Sequence, residues 1–201
     1  MKRLLLILIL TLSFQNWTKA DDISDFQIEG MSVGDSLLDY FNESEIKDKI
    51  NSYQDKGYKF KFNDFYALTF KKLAKFEEYE SVQIYLKDKD KTFKIQALAG
   101  LKYYKDNIKD CYFDLKNIKK SFDVMFANSR RVGEGKKRKH SHDKSGESTT
   151  LDYYYYLKNN NYEFISIVCS DWSKKMNIID SFQVQISSYK FGDFLTNKAY
   201  K

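Results

Sequence analysis

Between Ile108 and Met125 the apolar residues Ile108, Cys111, Leu115, Ile118, Phe122 and Met125 recur at spacings of 3, 4, 3, 4 and 3. At about 100° per residue they form one stripe along a helix, with Lys109, Asp110, Lys116, Lys120 and Asp123 off it. A helix over 106–128, capped by Asp106, is therefore expected. One apolar stripe cannot be left in water, so the helix needs an apolar surface to cover. The rest of the chain supplies one of a different period.

Residues 58–62 (YKFKF), 65–71, 81–87 and 92–98, the last running on toward Tyr104, are alternating or aromatic stretches of strand character. So are 149–157, 162–169 and 181–187. The polar turn at 88–91 and the run Asn159–Asn161 join neighbours into hairpins, which must pair antiparallel. Shorter helices are expected at 33–41, with Ser32 as cap and Asp35 completing a capping box, at 43–53 after Asn42 or Ser44, and near 192–201. The sum is an α+β fold, an antiparallel sheet with helices packed on one face. The chain has no proline, so its turns rest on Gly, Asn, Asp and Lys.

The N-terminus sets the compartment. Lys2 and Arg3 precede the apolar run 4–14, and Thr18-Lys19-Ala20 places small residues before a cut after Ala20. The run has signal-peptide length and falls short of the roughly 20 apolar residues that cross a bilayer. The expectation is a signal peptide over 1–20, then a single domain over 21–201 in the periplasm, with no transmembrane segment in the mature chain. Removing Lys2, Arg3 and Lys19 halves the net charge of +6.

Most remaining basic excess is local. Arg130, Arg131, Lys136, Lys137, Arg138, Lys139 and Lys144 crowd a Gly- and Ser-rich stretch, expected as a mobile basic loop over about 129–148. In the periplasm this does not signal nucleic acid. Lys136, Lys137, Arg138 and Lys139 are instead candidates for binding an anionic envelope surface or an acidic envelope protein.

Cys111 and Cys169 are the only cysteines. An even count in an exported chain favours one disulfide. Cys111 lies on the helix stripe, and Cys169 shares strand parity with Ile165 and Ile167, so the bond would staple helix to sheet. His140 and His142, the only histidines, stand among cations without evident further ligands, so neither a metal site nor a cofactor is expected. The same scarcity leaves no histidine on a firm element for nucleophilic catalysis, so no catalytic residue is assigned. In Tyr153–Tyr156 alternation sends two rings to the core and two to the other face. Trp172 is expected to pack.

DFQIEGMSVGDSLLDYF, DNIKDC, DKSGEST, CSDWSKK and NKAYK together resemble a group of small exported proteins of AT-rich marine alphaproteobacteria, over the whole mature chain. The resemblance implies export and the cysteine pair, and brings no activity. GMSVGDSLLDYF is also similar to the turn-and-helix of small outer-membrane assembly lipoproteins and beta-lactamase-inhibitor-like domains, although the lipid-bearing cysteine is absent. Those are α+β modules that bind proteins, which implies a binding module. The leading expectation is thus a non-catalytic binding or envelope-associated protein. The alternatives are a hydrolase using carboxylates and a small-ligand binder.

Overall fold

A computed structural model describes residues 22–54, 64–71, 73, 75–105, 107–133, 135–157 and 162–199. The expected signal peptide, the strand at 58–62, the Asp106 cap and the turn Asn159–Asn161 lie outside these residues.

The strands β1 (Gln27–Ile28) and β2 (Met31–Ser32) form a small ribbon. The helix α1 (Glu43–Gln54) leads to β3 (Phe65–Lys71), β4 (Ser81–Lys87) and β5 (Ile95–Tyr104). The long helix α2 (Ile108–Met125) follows, then β6 (Arg130–Val132), β7 (Arg138–Lys139), β8 (Thr149–Tyr156), β9 (Phe164–Asp171), β10 (Asp180–Ser187) and α3 (Tyr189–Asn197). Strands β3 to β10 make one eight-stranded antiparallel sheet in the order β3-β4-β5-β10-β9-β8-β6, with β7 also on β8. Two three-stranded meanders therefore meet back to back. Their inner strands β5 and β10 pair from Tyr104↔Asp180 to Ala97↔Ser187.

The α+β fold is as the two periodicities require. Helix α2 lies across β9, β10 and β5, and α1 against β3. Cys111 and Leu115 are buried, while Ile108, Ile118, Phe122 and Met125 pack partly buried against the core cluster to which Ile165, Ile167, Phe182 and Val184 belong. The Cys111–Cys169 disulfide ties helix to sheet with Cα atoms 6.0 Å apart. Closing a loop of 58 residues this way stabilises by about 4 kcal/mol on chain-entropy grounds. Tyr155, fully buried, donates to Asp123 of α2 at 2.9 Å. Burial and that carboxylate push its phenol well above the ordinary range.

The expected helix at 33–41 forms only as a 3-10 turn over Leu37–Asp39. Asp35 does accept from the Ser32 amide at 2.8 Å, as a capping box would have it. However, Gly34 sits at φ +101°, and long-range backbone bonds compete for the segment. The amides of Gly34 and Leu37 donate to Ile95 and Phe93, and the amide of Ile95 donates to Asp35. Pairing with the start of β5 wins over local helix. At Asn42 no such competitor exists, and a full capping box forms with Glu45 at 2.9 and 3.0 Å.

Candidate binding surface

Alternation gives each strand a second face. On the side away from α1 and α2, the side chains line up in rows across the sheet. One row reads Thr69, Gln83, Ala99, Gln185, Ser166, Tyr154 and Val132. The next reads Lys71, Ser81, Leu101, Gln183, Val168 and Asp152. Among the described elements, α3 alone packs here. Its Phe191 and Phe194 cover Phe65, Tyr85 and Ala97 at one end. Gly192 permits this close seat, since a Cβ there would meet the Tyr162 carbonyl at 1.8 Å. No other described helix packs on the remaining rows, where Thr69, Gln83, Leu101, Gln183, Val168 and Tyr154 are half-buried and the small Ser81, Ala99 and Ser166 are buried between them.

The open rows are small, amide and aromatic. Tyr85 donates to Gln83 at 2.6 Å, Gln183 to Gln185 at 3.0 Å, and Ser81 pairs with the Tyr103 hydroxyl at 2.8 Å. These bonds hold the amides in fixed orientations. Tyr154 and Tyr156 fall on this face and Tyr153 and Tyr155 on the other, as alternation predicts. With Phe164 they form an aromatic cluster, ring centroids 5.4 and 5.8 Å apart, and Arg130 lies 4.2 Å over the Tyr156 ring. Among the described strand positions of this face, Asp152 is the one carboxylate. Arg138 pairs with it, its Nη2 donating to both carboxylate oxygens. The centre of the face is thus uncharged and its margin basic, through Lys71, Lys87, Arg130 and Arg138.

The stretch 129–148, expected as a mobile loop, is built instead. Strand β6 pairs with Tyr154–Tyr156, and β7 pairs with Thr149 and Thr150. Its Gly-rich composition serves tight crossing rather than slack: Gly133, at φ +103°, passes so near β8 that a Cβ would sit 2.4 Å from the Asp152 carbonyl. Beyond β7, Asp143 is a hub. It accepts from the Ser148 hydroxyl and amide (2.5 and 3.0 Å), the Ser145 hydroxyl and amide (2.7 and 2.9 Å) and the Ser173 hydroxyl (2.9 Å). Those donors, Ser148 first, hold its carboxyl well below the usual range.

The structure does not gather the four basic candidates. Arg138 joins the open face, whereas Lys137 turns to the helix side, 4.4 Å over Tyr112 of α2 and 3.7 Å from Asp171. Lys139 packs along Gly146, and Lys136 is exposed at the sheet margin. Strand alternation separates neighbours in sequence. The His140 ring packs at a tilt against Trp172, centroids 4.0 Å apart, and against His142 at 5.3 Å, and burial lowers its pKa. Among the described residues no three His, Cys, Asp or Glu side chains are placed to hold a metal ion. Sequence reasoning missed the Asp143 hub and the amide rows. The first carried a signal, an Asp followed by Ser at positions 145 and 148. The second needed the register of distant strands.

No helix among the described residues is long and apolar enough to cross a membrane. Comparison of the chain with protein-family models, curated proteins and solved structures gave no match.

Proposed function

We propose that this protein is an exported, periplasmic binding module whose open sheet face docks one folded partner protein, with an uncharged centre and an acidic rim. The observation that carries this is the chemistry of the rows: fixed amides and tyrosines around small residues, with cations only at the margin. Charge depletion at the centre with Tyr and Arg present is a feature shared with protein interfaces. The expected export supports the reading, since the Cys111–Cys169 bond suits an oxidising compartment. Hydrolysis has less support. Three of the buried or half-buried carboxylates, Asp123, Asp143 and Asp152, each bridge structural elements through fixed donors.

The test places a photo-crosslinking residue at Gln183, at Tyr154 and, as control, at Asn117 on the outer side of α2, in the native cells. Gln183 and Tyr154 should trap the same discrete protein, and Asn117 should not trap it. Val168→Arg, which puts a charge in the middle of the face, should abolish the adduct with the thermal melt little changed. Absence of an adduct at both face positions, or one unaffected by Val168→Arg, overturns the proposal.

A further inference from the structure

We infer that the outward side of α2 is a second docking surface, and that its occupant is an anionic lipid bilayer. Taking Phe113 as the outermost direction, about 100° per residue brings Lys109, Lys116, Asn117, Lys120 and Val124 within roughly 60° of it. Phe113 is 65% exposed and Val124 79%, the highest values among the large apolar side chains left in water. The three lysines are exposed as well. Asp110, exposed near the helix start, stands about 60° from Phe113 as Lys116 does on the opposite flank, and is the one carboxylate of α2 in this arc, so the lysines outnumber it three to one.

The other acids beside this arc, Asp114, Asp123 and Asp171, are engaged. Asp114 accepts from the Tyr104 hydroxyl at 2.6 Å. Asp123 is held by Lys119 at 2.5 Å and Arg131 at 2.8 Å, and Asp171 by Tyr112 at 3.1 Å. Lys137, stacked over Tyr112, adds a cation beside the helix.

The spacing of the apolar groups chooses the occupant. Phe113 and Val124 stand about 16 Å apart along the axis, each with lysines around it. A protein interface gathers its apolar anchors into one central cluster. A bilayer surface takes isolated apolar side chains wherever they fall on a plane, while lysine stems reach up to the phosphates. Because α2 covers the sheet face opposite the amide rows, contact with a bilayer leaves those rows free. The inference does not rest on the sheet-face proposal.

The test uses protein purified after export and two vesicle types, pure phosphatidylcholine and phosphatidylcholine with phosphatidylglycerol. Binding should appear at low salt on the anionic vesicles alone. Each lysine contributes about fivefold, so Lys109→Gln, Lys116→Gln and Lys120→Gln together should weaken it roughly 100-fold. Changing Lys136, Lys137, Arg138 and Lys139 to Gln should cost far less. The Gln183 crosslink should survive the α2 triple change, which separates this surface from the sheet face. Phe113→Trp should show a blue-shifted indole emission on anionic vesicles, relative to the wild-type background from Trp172. Equal binding by the triple variant, or no blue shift, overturns the inference. Wild-type protein that ignores anionic vesicles also overturns it, and leaves a protein as the occupant.

Discussion

The two faces of the large sheet are built from the same strands and carry opposite chemistry. On the α2 side, Leu68, Ile84, Leu98, Ile167 and Ile186 are buried among helix residues. One position along each strand, on the other side, stand Thr69, Gln83, Ala99, Ser166 and Gln185. The first set resembles a protein interior and the second the middle of an interface. A period of two allows one strand to serve both, because the large apolar side chains packed under α1 and α2 come from alternate residues. The open face can therefore be tuned for recognition with little cost to the fold. Any test that separates the two faces sharpens this difference, and any that fails to separate them breaks it.

The largest separation should come from the staple under the covered face. Cys169→Ala should lower stability by about 4 kcal/mol, read from denaturant melts of the oxidised wild type and the variant. Equal midpoints would mean that the bond does not constrain the unfolded chain.

Adjacent residues on β9 give the cleanest contrast. Ile167 is fully buried against the α2 side and Val168 is half-buried on the open side. Ile167→Ala should cost about 3 kcal/mol, through lost burial and the cavity left behind, and Val168→Ala about 1 kcal/mol or less. Similar losses at both positions would show the open face to be core rather than surface.

The smallest effect concerns the segment that borders the open face. The Asp143 carboxyl is lowered in the folded state by its Ser148 and Ser145 donors. Its contribution is therefore present above the unfolded value near 3.8 and is lost as pH falls from there through the lower folded value. Asp143→Asn should lower stability at neutral pH and flatten the acid limb of the pH–stability curve relative to wild type. Trp172, in ring contact with His140 beside the hub, is the probe of local loosening. Parallel acid limbs for the two proteins would remove Asp143 from this role.

How much of this was legible in the sequence differs by element. The stripe on α2 and the alternation of β4, β8, β9 and β10 are local patterns, and each element formed where its period placed it. The parity of Cys169 with Ile165 and Ile167 was enough to aim it at the helix. The split of Tyr153–Tyr156 followed from the same parity. The 33–41 helix was misjudged because backbone bonds to Phe93 and Ile95 are invisible from within the segment. The built character of 129–148 was hidden for a related reason, since Gly and Ser mark close crossing as well as slack.

The sequence by itself determined period and parity, because these depend on neighbours a few residues apart. Only the tertiary structure decided which strands meet. The pairing of β5 with β10 sets Gln83, Gln183 and Gln185 on one surface from positions a hundred residues apart. The same folding sent Lys137 and Arg138, adjacent in the chain, to opposite sides of the sheet. Register between distant strands is fixed by the total burial of the covered face, a property of the whole chain that no local window contains.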